Sequence, residues 1–121
     1  EIYDTPVFVH HYPKDIMAFY KPRDIKNPKL ARCFDMLTPE GNGELIGGSE
    51  RDTNIAELKK SLKAKGEKLE DYSYYFEIHS YGAIPHGGFG LGTERLVKWI
   101  CGLETIKDAI AFPRTMTRYS P

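Results

Sequence analysis

Asp35, Glu44, Arg51 and Arg95 are the charged residues whose positions suggest chemistry. The local pattern puts Asp35 inside a strand, Glu44 at the start of the returning strand and Arg51 just beyond a Gly47-Gly48-Ser49 turn. Charges in the strands of a small domain are rarely buried unless they are paired or bound to metal. Two carboxylates flanking one turn can approach each other across the strands. Such a pair suits Mg²⁺, which takes one or two carboxylates and completes its shell with phosphate oxygens and water. The sequence is equally compatible with both carboxylates facing solvent or pairing with arginines. An arginine can grip a carboxylate or a phosphate through two parallel hydrogen bonds. Two arginines beside two carboxylates therefore suggest a nucleoside triphosphate and a small carboxylated partner.

These groups need a floor, and residues 85–96, Pro-His-Gly-Gly-Phe-Gly-Leu-Gly-Thr-Glu-Arg-Leu, offer one. Alternate side chains of a strand point to opposite faces. Phe89 and Leu91 then share an apolar face, and Gly88, Gly90 and Gly92 leave the other face bare. Glycine inside a strand costs about 0.5–1 kcal/mol, and one use of a bare face is close approach by a flat ligand or another backbone. Thr93 is expected to cap a helix over 94–101 that ends at Gly102. Arg95 then lies in the first turn, where the helix dipole disfavours a cation by about 0.3–1 kcal/mol. An anionic or planar ligand would explain it. A plain glycine-rich turn with a solvated Arg95 fits the pattern as well.

Other chemistries find less support. A dinucleotide fingerprint starting at Gly90 would need glycine where Arg95 stands, and no Gly-Lys-Ser/Thr ends a phosphate loop. Ser49, Ser73 and Ser80 lie in no nucleophile elbow. His10, His11, Cys33, His79, His86 and Cys101 lack zinc-ligand spacing. His86, beside the bare strand, is the histidine closest to the expected site.

The elements that must hold these residues follow in order. Residues 6–10 are expected to form a short strand, and 14–20 a turn leading into another. Residues 21–28 read as a charged, proline-bearing surface loop. Residues 31–48 predict a hairpin turning at 39–43. Asp52, Thr53 and Asn54 offer caps for a helix running to about Lys65, with Ile55, Leu58 and Leu62 on one face. Lys59, Lys60, Lys63 and Lys65 are read as a solvated basic face rather than a nucleic-acid contact. Tyr72, Phe76 and His79 define a second helix closed by Gly82, read as core rather than ligand box. Residues 109–112 predict a last short strand before an irregular tail. The resulting fold class is α+β, part of an antiparallel sheet flanked by helices.

The chain has 121 residues, room for one domain at most, and its 17 basic and 17 acidic residues cancel. It therefore carries no overall basic field for nucleic acid. Cys33 and Cys101 are expected to be reduced, buried thiols of an intracellular protein. No apolar run approaches the roughly 20 residues of a membrane helix, so no membrane partner is expected. The chain opens on Glu1 rather than methionine, which fits a fragment.

The run from His86 to Leu96 resembles motif 3 of class II aminoacyl-tRNA synthetases. Residues 34–37 with 43–51, residues 12–20 and the ending Phe112-Pro-Arg-Thr115 are similar to the aspartyl/asparaginyl branch of that family. Within the branch, Gly43-Glu44-Leu-Ile-Gly-Gly-Ser-x-Arg51 and Pro85-His-Gly-Gly-Phe resemble the asparaginyl enzymes more. Aspartyl enzymes usually have Ile-His after the arginine, where this chain has Asp52-Thr53, and often serine in place of Gly47. A further relative is the archaeal asparagine synthetase derived from the family.

The resemblance implies roles residue by residue. Arg95 packs on adenine and contacts the triphosphate of ATP, with Gly92, Thr93 and Glu94 lining the site. Glu44 and Asp35 hold Mg²⁺, and Glu44 and Arg95 meet the charge of the transition state. Arg51, beside Gly47, binds the amino acid's side-chain end. There is no protein nucleophile; catalysis is positioning and charge neutralisation. The implied activity is ATP-dependent activation of asparagine, or aspartate, and transfer to tRNA by a cytoplasmic homodimer. A non-catalytic ATP-binding module is the alternative of another class. Motifs 1 and 2 and the anticodon-binding domain are absent from the 121 residues. The expectation is thus the C-terminal half of a catalytic domain, inactive alone, with motif 3 at 86–96.

Overall fold

A computed structural model describes residues 3–119. Four strands form one sheet in the order β1 (Val7–His10), β2 (Cys33–Thr38), β3 (Gly43–Glu50) and β4 (Gly87–Leu91). Three helices accompany them: α1 (Ile55–Ala64), α2 (Ser73–Ser80) and α3 (Thr93–Ile100). The β3–β4 pairing is antiparallel, since Arg51 N donates to His86 O at 2.9 Å and Gly92 N to Leu45 O at 3.1 Å. The α+β class and the antiparallel sheet agree with the sequence pattern. By compactness the chain divides into a helical unit, His10–Phe34 with Gly48–Phe89, and a hairpin unit, which contains Asp35–Gly47 and the chain from Gly90 on.

In the helical unit, Asn54 caps α1 as expected. Its Oδ1 accepts from Ala56 N at 3.0 Å and Glu57 N at 3.3 Å. Leu58 and Leu62, one turn apart, are fully buried, and Gly66 ends the helix at φ 75°. The basic face of α1 is solvated: Lys59, Lys60, Lys63 and Lys65 are exposed, with Lys60 3.7 Å from Glu57. A 3₁₀ turn over Leu69–Tyr72 leads into α2. Around Phe19, the rings of Tyr20, Tyr72 and Tyr75 pack edge-on with centroids 5.4, 5.2 and 5.7 Å away. The expected core is met only in part: Tyr72, Tyr75, Phe76 and His79 are half-buried, none is fully buried, and Tyr74 and Tyr81 of the same run are exposed.

Residues 14–20 turn as expected but no strand follows. Lys14–Ile16 form a 3₁₀ turn, and the buried Lys14 ammonium takes the carbonyls of Ala18 (3.4 Å), Phe19 (3.2 Å) and Lys21 (2.6 Å). Asp52 N takes the carbonyl of Tyr20 at 2.8 Å. The carbonyls of 18–21 are thus spent on the ammonium and on Asp52 rather than on a neighbouring strand.

In the hairpin unit, the turn between β2 and β3 closes with Asn42 N on Pro39 O at 3.3 Å and Thr38 Oγ1 on Gly43 O at 3.0 Å. Leu45 is buried. The helix α3 begins one residue earlier than expected. Its cap is Gly92, whose carbonyl accepts from Leu96 N at 2.9 Å, and Thr93 is the first helical residue rather than the cap. Gly92 serves because its own N–H is already bound to Leu45 O across the sheet, which leaves the chain to turn there. Gly102 ends the helix at φ 61°.

The last strand expected at 109–112 does not form. Ile106–Ala109 is a 3₁₀ turn capped by Thr105, with Ile110 N bound to Lys107 O at 3.3 Å. Ile110 N, which a strand would have shared, is spent on this local bond. Cys33 is buried as expected, but Cys101, at the C-terminal cap of α3, is exposed. No helix among the described residues is long and apolar enough to cross a membrane.

Candidate functional site

In the hairpin unit, Asp35 and Glu44 come together. A Cβ placed on Gly47 would lie 2.9 Å from Glu44 Oε1 and 3.3 Å from Asp35 Oδ1. Both carboxylates thus crowd the space above one glycine, and only a residue without a side chain leaves it to them. Neither carboxylate is in an ion pair among the described residues. The pairs there are Arg32–Glu50, Lys60–Glu57 and His11–Asp24. The alternative in which Asp35 and Glu44 are neutralised by arginines is therefore not what the fold adopts.

Arg95 answers the dipole problem posed by its position. Its Nη1 donates to the main-chain carbonyl of Glu44. Its stem lies along Gly92, where a Cβ would meet Arg95 Cδ at 3.2 Å and Cγ at 3.3 Å. The guanidinium is thus carried away from the N-terminal amides of α3 to the start of β3. Thr93 and Glu94, exposed in the first turn, sit beside it, and Lys98 Nζ binds Asn42 Oδ1 at 2.6 Å one turn on. Gly90 has open space around its Cα, so β4 is bare here, as the glycine alternation predicts.

The Asp35–Glu44 pair presents only carboxylate oxygens. Among the described residues no group of three or more His, Cys, Asp or Glu could hold a metal ion by itself. Two hard oxygen donors with an open side suit Mg²⁺ shared with phosphates, and do not suit an all-protein zinc or calcium cage. The residues present fit the ion.

In the helical unit, Arg51 is the centre of a second arrangement. Its Nη1 donates to the hydroxyl of buried Ser49, and its Cζ lies 4.7 Å from the centroid of Tyr20. Gly88 gives it room: a Cβ there would be 3.2 Å from Arg51 Nη2. Arg51 has no carboxylate partner among the described residues, so its outer edge is free for an acceptor. Burial pushes the Tyr75 phenol above its usual value of 10.0, with the Arg51 cation opposing. His86 does not join this group. Its Nδ1 donates to Ile84 O at 2.8 Å and its carbonyl receives Arg51 N.

Phe89 occupies the other face of the strand in this unit. A Cβ on Gly48 would meet the Phe34 ring at 2.6 Å and Phe89 Cβ at 3.0 Å, so Gly48 makes way for these two rings. The open groove of about 700 Å³ on this side is lined by His10, Arg32, Phe34, Glu50 and Phe89 among others, and holds none of Asp35, Glu44, Arg51 or Arg95. Tyr20, Ser49 and Lys14 are the residues that sequence reasoning did not single out. No periodicity marks them, since their roles depend on how 14–21 folds back.

Residues 1–116 match the family model described as tRNA synthetases class II (D, K and N). The chain is 46% identical over 119 residues to the asparagine–tRNA ligase of Sorangium cellulosum, covering 98% of this chain and 27% of that protein. It is 48% identical to that of Pyrococcus abyssi, with the same coverage. The crystal structure of asparaginyl-tRNA synthetase from Pyrococcus horikoshii complexed with asparaginyl-adenylate superposes with a TM-score of 0.93 at 45% identity, covering 98% of this chain and 27% of that one. The chain thus spans little more than a quarter of the length of these relatives. It belongs to the class II tRNA synthetases (D, K and N), and within them it is similar to the asparagine ligases.

Proposed function

We propose that the chain is the motif 3-bearing, C-terminal part of the catalytic domain of an asparaginyl-tRNA synthetase. The reading rests above all on the convergence of Glu44 and Asp35 over Gly47 beside the Arg95–Glu44 bond. The names of its relatives support asparagine as the amino acid. The placement is supported by the His86–Leu96 run. Exposed Ile25, Phe89 and Phe112 fit surfaces covered in a larger, homodimeric protein.

In the intact enzyme a carboxylate oxygen of asparagine attacks the α-phosphorus of ATP. The adenylate forms and pyrophosphate leaves. A ribose hydroxyl of tRNA then attacks the adenylate carbonyl, and AMP leaves. Arg95 packs on the adenine and contacts the triphosphate, with Gly92, Thr93 and Glu94 beside it. Glu44 and Asp35 would hold Mg²⁺, which would supply neutralisation of phosphate charge. Arg51 receives the side-chain end of asparagine, and Gly47 keeps the space near the carboxylates open. No residue forms a covalent intermediate, so positioning and fixed charge carry the rate.

Pyrophosphate exchange by the intact protein tests this. Asparagine-dependent exchange and charging of tRNA are expected. Aspartate-dependent exchange would assign the aspartyl enzyme instead. Asparagine synthesis without tRNA would assign the synthetase relative, and ATP binding with no exchange a non-catalytic module. The 121 residues alone should show no exchange, because the motif 2 arginine for the α-phosphate is not among them.

A further inference from the structure

We propose that Lys14 is a positioning residue for the amino-acid end of the site: its buried ammonium gathers the carbonyls of Ala18, Phe19 and Lys21 and thereby sets Tyr20 against the Arg51 guanidinium. The inference rests on the reading that Arg51 binds the amino acid.

Lys14 is only 4% exposed, a rare state for lysine. Its three donors find three carbonyls, at 3.4, 3.2 and 2.6 Å, so the charge is solvated by the chain itself. Burial lowers its affinity for a proton, with Arg23 acting in the same direction and Asp52 against. The remaining carbonyl of the segment, that of Tyr20, receives Asp52 N at 2.8 Å. Asp52 follows Arg51 in the chain, so Tyr20 is tied to Arg51 through the backbone as well as through its ring. The ring lies 4.7 Å from Arg51 Cζ, and Phe19 beside it is wedged against Tyr72 and Tyr75.

An ammonium is the group that can do this. Its donors diverge from one point toward three carbonyls of a tight loop, whereas a guanidinium spreads its donors in a plane. Without it, the part-buried carbonyls of Phe19 and Lys21 lose the ammonium, and the Lys21 N–Ala18 O bond is left to hold the curl. Tyr20 would leave Arg51, which would then be held by Ser49 alone.

The test uses the intact protein. Lys14→Met keeps the stem and removes the donors. Carbon-13 labelling of arginine reads the ring-current shift of the Arg51 side chain, and pyrophosphate exchange reads KM for asparagine and for ATP. Loss of the shift is expected with Lys14→Met and with Tyr20→Leu, together with a rise of about tenfold in KM for asparagine and a change within about twofold for ATP. Tyr20→Phe, which keeps the ring, should keep the shift. Should Lys14→Met not fold, Lys14→Arg, which keeps the charge but spreads its donors in a plane, decides through the same signals: loss of the shift is expected, and a retained shift overturns the proposal. A retained shift in Lys14→Met, or equal rises in both KM values, overturns the proposal. If Arg51→Lys leaves KM for asparagine unchanged, the assignment of Arg51 fails, and the ring-current result still reports separately whether Lys14 positions it.

Discussion

Arg95, in the first turn of α3, donates to the main-chain carbonyl of Glu44 at the start of β3. One residue thereby ties the helix that would face the triphosphate to the strand whose carboxylate is proposed to bind Mg²⁺. The bond is to the carbonyl, so the Glu44 carboxylate stays available. Arg95→Ala in the intact enzyme should abolish pyrophosphate exchange, a loss of at least about 10²-fold in kcat, the scale for removing one fixed donor from a developing charge. Near-normal exchange would remove Arg95 from the machinery. Arg95→Lys should recover little, since an ammonium cannot bond the carbonyl and meet a phosphate in parallel.

The space above Gly47 decides whether the carboxylates can act together. In Gly47→Ala the new methyl would stand 2.9 Å from Glu44 Oε1 and 3.3 Å from Asp35 Oδ1. The flexible Glu44 must swing aside. The Mg²⁺ concentration for half-maximal exchange should rise by about tenfold, the effect typical of a misplaced ligand. Titrating exchange activity with Mg²⁺ at saturating ATP measures it, and an unchanged midpoint would argue that Glu44 and Asp35 do not share an ion.

Gly88 plays the equivalent part for Arg51. A methyl there would lie 3.2 Å from Nη2, backed by the Ser49 bond and the Tyr20 ring. Gly88→Ala should raise KM for asparagine by a few-fold and leave ATP affinity unaltered, whereas Arg51→Ala should raise it by about 10²-fold. Steady-state exchange with each substrate varied in turn separates the two effects. A larger effect on ATP than on asparagine would take Arg51 out of the amino-acid pocket.

Asp24 supplies a pH-dependent element away from the site. The N–H of Asn27 at 2.8 Å and that of Lys26 at 2.9 Å both donate to its Oδ2, and His11 Nε2 lies 3.4 Å from Oδ1. These bonds, Asn27's first, hold the carboxyl below its ordinary 3.8. A depressed carboxyl stabilises the fold above its unfolded value, and that contribution is lost as pH falls through the lower folded one. Asp24→Asn should therefore lower the urea midpoint at neutral pH. The difference from wild type should shrink steadily below about pH 4. A difference that stays constant with pH would show that the charge contributes nothing.

Much of the architecture is local and so can be read along the chain. The β2–β3 hairpin, the Asn54 cap of α1 and the glycine alternation of β4 each depend on residues within a few positions of one another. The Thr93 cap and the 109–112 strand are two of the expectations that failed, the first through a distant partner and the second through near neighbours. Thr93 has the chemistry of a cap, but Gly92 takes the role because Leu45, far off in sequence, holds its N–H. Residues 109–112 have strand composition, but Thr105 and Lys107 draw the segment into a 3₁₀ turn.

For the site, residue types and order alone determined that carboxylates, arginines and a glycine-floored strand belong to this protein, because such motifs are written in contiguous runs. Tertiary structure decided which groups meet. Glu44 and Asp35 converge because Gly47 has no side chain, and Arg95 reaches back to a carbonyl rather than to a carboxylate. Lys14 joins the story only because a loop folds around its ammonium. Contacts between residues distant in sequence depend on the path of the backbone in space, and hydropathy or spacing records that path only where the contact is short-range.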